Sequence, residues 1–152
     1  MTTVVSTLAD LRPLVGTSLG ASDWVTVDQS RIDAFADATG DHQWIHVDPQ
    51  RAASGPFGTT VAHGYLTLSL LIPMWTEILT VESVHTKVNY GLGKVRFPAP
   101  VPAGSRVRAT ATLAALDDVA GGAQLTVDAL IEREGGDKPV CVAQPIFRYY
   151  EG

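Results

Sequence analysis

Asp41 and His46 are the residues of this sequence best suited to chemistry, and they stand five positions apart in the segment 35–49. A carboxylate and an imidazole that converge form a proton-transfer device: one takes a proton while the other gives one or holds a water. Convergence requires a particular backbone. On an α-helix the two side chains would lie about 140° apart, at roughly 100° per residue. On a strand an odd separation sends them to opposite faces. An irregular loop, opened by the helix-stopping Gly40 and closed by Pro49, is the path on which they can meet. An enzyme is therefore expected.

The other chemistry-bearing residues weigh less. His42 and His46 have the H-x₃-H spacing that binds zinc when it falls on a helix, with Asp48 or His63 as a third ligand. The segment follows a helix-stopping glycine and contains Trp44, Ile45 and Val47, so helix is not expected there and neither is a metal. His63 is read as a wall of the substrate site or a structural contact, and His85 falls in a strand pattern with no catalytic role. Cys141 lies in an apolar run and reads as a buried, inert thiol. Gly91 and Gly93 lack the third glycine and the βαβ context of a dinucleotide fingerprint. No Walker motif and no G-x-S-x-G elbow occurs, so neither nucleotide hydrolysis nor serine-esterase chemistry has support.

The elements that must position Asp41 and His46 follow from pattern. Residues 7–15 suggest a short helix with Leu8, Leu11, Leu14 and Val15 along one side, bent by Pro13. Residues 23–27 suggest a strand. Asp28 then caps a helix over 29–38 with Ile32, Phe35 and Ala36 as its buried stripe. Asp48 and Pro49 repeat that start signal for a turn of helix reaching Ala53. Residues 64–79 form the most apolar helix candidate, hydrophobic on nearly every side and so expected in the core, with Pro73 kinking or ending it. From residue 81 the pattern becomes β. Val107, Ala109, Ala111 and Leu113 alternate with Arg106, Arg108, Thr110 and Thr112, and Leu125 to Glu132 alternates likewise. Residues 84–95 and 140–149 complete four long antiparallel strands, with Pro145 favouring an edge or a bulge in the last. The class expected is α+β, an antiparallel sheet curled round a buried central helix, as one domain over 1–152.

Composition sets the bounds. The chain has 152 residues, 45% of them apolar and 18% charged, the profile of an ordinary soluble globule. A net charge of −5 leaves no basic surplus to displace counterions from phosphates, so nucleic-acid binding is not expected. Neither a signal peptide nor a membrane span is expected, because no basic flank or long apolar block begins the sequence and its longest apolar run is interrupted. With one cysteine no internal disulfide can form, which fits a reducing, cytoplasmic setting.

Thr39-Gly40-Asp41 with His46 five residues on, then Ala52 and His63-Gly64 ahead of an apolar helix, resembles the signature of the MaoC-like (R)-specific enoyl-thioester hydratases, which have a hot-dog fold. The segment 89–100 resembles the nodulation-protein-N-like branch of that family. The family's usual Asn-Pro between the Gly-Asp pair and the His is replaced by Gln43 and Trp44, a difference that bears on loop shape and substrate choice. The resemblance implies that Asp41 and His46 grip the water that adds across the double bond. It implies thioester-arm contacts for Asn89 and Tyr90.

That reaction needs water deprotonated, the β-carbon attacked, the α-carbon protonated and a donor for charge on the thioester oxygen. Gly64, at the expected start of the apolar helix, offers a free backbone N–H, the positive end of the helix dipole and no side chain to block approach. The expected activity is hydration of a trans-2-enoyl thioester to the (R)-3-hydroxyacyl thioester, or its reverse, on an acyl-CoA or acyl-carrier-protein substrate, with no cofactor. Lys87, Lys94, Arg96, Arg106 and Arg108 could meet the phosphates of that carrier, although at least half are expected to form a solvated face. A free sheet edge predicts a homodimer. Two rivals share the fold: a thioesterase attacking the carbonyl, and a non-catalytic acyl-binding or partner subunit of a dehydratase. The paired Asp41 and His46 argue against both.

Overall fold

The computed structural model describes residues 2–152. Strand β1 (Thr3–Val5) leads into a 3₁₀ helix (Leu8–Leu14), then β2 (Ser18–Ala21) and β3 (Val25–Val27). Three helices follow, α1 (Gln29–Thr39), α2 (Trp44–Val47) and α3 (Pro49–Ala53), and then the long α4 (Gly64–Ile78). Short β4 (Leu79–Val81) precedes four long strands: β5 (Thr86–Arg96), β6 (Ser105–Val119), β7 (Gly122–Arg133) and β8 (Cys141–Tyr150).

Local chemistry accounts for the start and stop of α1. Asp28 is extended, and its carboxylate accepts the Arg31 N–H at 2.9 Å, satisfying one of the orphan donors of the first turn. Gly40 ends the helix at φ 81°, a left-handed conformation that costs glycine nothing. Asp48 caps α3 in the same way through the Arg51 N–H at 3.1 Å.

The six-stranded antiparallel sheet runs β2-β6-β7-β8-β5, with β3 pairing farther along β6. One face of it holds α4. Leu66, Leu70, Leu71, Met74, Trp75 and Ile78 of the helix share one core with Val107, Leu113, Leu125, Val127, Ile131 and Phe147 of the strands. Trp75 stacks on Phe147 with centroids 5.2 Å apart and donates its Nε1–H to the Tyr149 hydroxyl at 2.7 Å, so its one polar atom is satisfied. The expected sheet curled round a helix is thus present.

Two details differ from expectation, and two narrow alternatives that the sequence left open. The N-terminal helix is 3₁₀ and leaves Val15 exposed, burying only Leu8 and Leu11. Helix α4 is not covered on all sides: Tyr65, Ser69, Pro73, Thr76 and Glu77 are exposed. Pro73 does not end α4, because it stands on that open side with the helix continuing to Ile78. Of the edge or bulge that Pro145 favours, it is the bulge that occurs, because β8 is an interior strand. The proline's missing donor is absorbed by irregular pairing: β5 shifts register between Leu92 and Val95. The pair β1–β4, parallel and three residues long, has no periodicity from which to be read. No helix among the described residues is long and apolar enough to cross a membrane.

Candidate active site

His46 is placed by α2, a single helical turn that interrupts the loop expected between Gly40 and Pro49. Gln43 accepts the N–H groups of His46 and Val47 at 3.0 and 3.3 Å, and Trp44 accepts that of Asp48 at 3.1 Å, closing the turn without a side-chain cap. Residues 40–43 stay irregular and carry Asp41 back toward the imidazole.

A second segment clasps the turn. Val61 donates its N–H to the Ile45 carbonyl at 3.0 Å, and the His46 Nδ1 lies 2.7 Å from the Val61 carbonyl. A carbonyl can only accept, so Nδ1 carries a proton, and in the neutral imidazole the lone pair is then on Nε2. Gln29 of α1 donates to the His46 carbonyl at 2.7 Å and accepts from the buried Thr60 hydroxyl at 2.5 Å. His46 is itself buried. Its orientation is therefore fixed by main-chain groups that are distant in sequence.

Asp41 is exposed and held at its backbone. His63 donates Nε2–H to the Asp41 carbonyl at 2.9 Å, and the His63 ring stacks on His46 with centroids 3.9 Å apart and planes 22° from parallel. One side-chain donor atom from each of Asp41, His46 and His63 lies within 4.8 Å of the others. The sequence-predicted pair does meet. As a metal site the trio fits poorly: imidazole lone pairs lie in the ring plane, and two nearly stacked rings direct them side by side, not toward one tetrahedral centre. His42 is no part of the cluster. Its Nε2 pairs with Asp37 at 3.0 Å on the exposed side of α1, and that carboxylate raises its pKa above the ordinary 6.5.

Gly64 is the first residue of α4, where a backbone N–H has no intrahelical partner and the helix dipole is positive. Packing gives a further reason for glycine here. A Cβ at this position would stand 3.0 Å from two ring carbons of Phe97, so the space is already filled by that ring. Phe97, half-exposed and edge-on to Tyr65 at 6.2 Å, is a site neighbour that sequence reasoning did not single out.

Asn89 and Tyr90 lie outside the three-residue cluster, on the exposed strand β5. Asn89 lines a cavity of about 250 Å³ between α4 and the sheet, with Leu68, Ile72, Leu92 and Phe147. Tyr90 carries the Arg148 guanidinium over its ring at 3.7 Å. Arg106 and Arg108 are paired with Glu134 and Glu132, at 2.9 and 2.5 Å, as a solvated face would have them. Burial pushes the Cys141 thiol up to about 11, which keeps it protonated and inert.

Comparison with known proteins follows the same line. The family model described as "MaoC like domain" matches residues 10–134. The chain is 57% identical over 143 residues to 3-hydroxyacyl-thioester dehydratase Z of Mycobacterium tuberculosis, covering 93% of this chain and 95% of that protein. It is 46% identical over 140 residues to nodulation protein N of Rhizobium leguminosarum bv. viciae, covering 90% and 86%. Among solved structures, the MaoC-like dehydratase from Rhodospirillum rubrum superposes with a TM-score of 0.78 at 22% identity, over 96% of this chain and 97% of that one.

Proposed function

We propose a function from the premise that this chain belongs to the MaoC-like domain family. It is a hydro-lyase of acyl thioesters, adding water to a trans-2-enoyl thioester to give the (R)-3-hydroxyacyl thioester, or running the reverse dehydration. The observation that carries this reading is the approach of Asp41 and His46, with a side-chain ligand atom of each within 4.8 Å of the other, while the Nδ1 of His46 is taken up by the Val61 carbonyl and Nε2 is left for chemistry.

The chemistry follows from that arrangement. A water held between the carboxylate and Nε2 donates one proton toward each, which turns an oxygen lone pair outward. As the water O–H bond breaks, one of the two groups takes the proton and the C–O bond forms at the β-carbon. The displaced electron pair moves to the thioester oxygen, and the α-carbon then takes a proton from the pair. Positioned acid–base groups give about 10²- to 10⁴-fold each. Gly64 N–H serves the developing oxyanion, a kind of donor worth about 3 kcal/mol in other enzymes. The carrier is coenzyme A or a carrier protein, with Asn89, on the α4–β5 cavity, as a contact for the thioester arm.

The protein acts as a homodimer on this reading. Strand β5 is the outer strand of the sheet, is exposed along nearly its whole length, and offers Val88, Tyr90 and Leu92. A long exposed apolar edge is a pairing template. Light scattering should give twice the 16.1 kDa chain mass. The function itself is tested by following loss of the conjugated absorbance of an enoyl-CoA, with chiral analysis of the product. Turnover to the (R)-alcohol supports it. Release of free thiol with no hydration would show a thioesterase instead.

A further inference from the structure

The chemistry above makes no use of the His63 imidazole, which is 3% exposed. Its Nε2–H reaches the Asp41 carbonyl, while Nδ1 is buried with no hydrogen-bond partner. One flank of the ring is stacked on His46, and Phe35 packs against it at 4.8 Å. A buried nitrogen without a partner is a cost that an apolar side chain of similar size would not carry. Filling space therefore does not explain an imidazole here. The bond to Asp41 does. The other hydrogen bonds of Asp41 among the described residues are local and long: its N–H to the Thr39 hydroxyl and its carboxylate from the Gln43 N–H, both at 3.4 Å. The 2.9 Å bond from His63 is the short link between an exposed loop and the body of the protein.

Resting on the hydratase reading, we propose that His63 is a positioning residue. Its Nε2–H fixes the Asp41 main chain, and its ring face seats the His46 imidazole, so that the carboxylate and His46 Nε2 address one water. The same residue is the N-cap of α4, where its carbonyl accepts the Leu66 and Thr67 N–H groups at 3.1 and 3.2 Å. One residue thus ties the carboxylate and the imidazole, through its side chain, to the Gly64 end of α4, through its main-chain carbonyl. A substrate contact would need an accessible ring, and this one is enclosed.

Two variants of the full chain test it. His63→Phe keeps an aromatic face for His46 but removes both the donor and the orphan nitrogen. It should lower kcat by about 10²-fold, the scale of a misplaced catalytic group, with KM moving less than about threefold. Its Tm should equal or exceed that of the wild type. His63→Gln, whose amide N–H can reach the Asp41 carbonyl, should recover about tenfold of that loss. A His63→Phe enzyme with wild-type kcat overturns the proposal. So does a KM that rises as steeply as kcat falls, or a His63→Gln no better than His63→Phe. Should His63→Phe not fold, His63→Gln decides alone: kcat within about tenfold of wild type supports the proposal, and a loss beyond about 10²-fold overturns it.

A readout independent of turnover is the ¹⁵N spectrum of histidine-labelled protein, which should show Nδ1–H at His46 and Nε2–H at His63. A His63 without Nε2–H overturns the proposal. If the wild type turns over no enoyl thioester, the function reading fails and this spectrum still judges the positioning.

Discussion

The sheet-and-helix body and the 40–64 segment solve opposite problems with different means. In the body, β6, β7 and β8 bury alternate residues against α4, and each side chain's place is set by the parity of its own strand. In the 40–64 segment no periodicity operates. His46 is aimed by the carbonyl of Val61, Asp41 is tethered by His63, and Gln29 reaches in from α1. The body is specified by repetition and is held by apolar area. The site is specified by a few long-range hydrogen bonds to main-chain atoms, each of which can be cut singly.

The contrast is sharpest where a substitution should damage one region and spare the other. Asp41→Asn and His46→Gln should each lower the hydration rate by at least about 10²-fold, measured by enoyl-CoA absorbance. Asp41→Asn should leave the Tm nearly unmoved, since Asp41 is exposed and held through its carbonyl. Trp75→Ala is the converse. It removes the ring stacked on Phe147 and the donor to Tyr149, and should cost about 3–5 kcal/mol in denaturant unfolding. A Trp75 variant with intact stability, or an Asp41 variant that unfolds, would break the division.

The same division explains what could be read without coordinates. Ile32 and Ala36 on α1, the caps Asp28 and Gly40, and the alternation around Val107 and Leu125 are written in neighbouring residues, so local rules suffice. The meeting of Asp41 and His46 was legible because their spacing rules out regular structure and their motif resembles a known one. The turn at Trp44–Val47 was not legible. Aromatic and β-branched residues with no capping side chain argue against helix, and the clasp from Val61 outweighs them. Nothing near Gly64 announces Phe97, which arrives from 33 positions along the chain, counting from 64 to 97. The exposed side of α4 likewise depends on where the sheet stops.

Gly64 joins the two regions, and it sharpens the comparison further. Gly64→Ala forces the Phe97 ring to give by a few tenths of an ångström at the start of α4. The rate should fall by about tenfold, from a displaced donor and not from lost fold. Phe97→Leu in the same chain should return part of that activity by relieving the contact. If the double variant is no faster than Gly64→Ala alone, crowding by Phe97 is not the cause.

The smallest expected effects carry opposite signs in the two regions. His42, beside the site, has its pKa raised above 6.5, chiefly by its hydrogen bond to Asp37. The folded state binds its proton more tightly, so its contribution is fully present below 6.5 and is lost as pH rises through the raised value. Glu151, on the body, has its pKa lowered below 4.5, first by the Ser83 hydroxyl and then by the Leu8 N–H. Its contribution is present above 4.5 and is lost as pH falls through the lowered value. Both groups are exposed, so water screens each effect. The wild-type Tm advantage over His42→Gln should therefore be full below pH 6.5 and fade as pH rises above it, while that over Glu151→Gln should be full above pH 4.5 and fade as pH falls below it. Thermal scans of the two variants across both windows would show one advantage shrinking with rising pH and the other with falling pH. Two curves that slope the same way would mean that one of these contacts does not form as described.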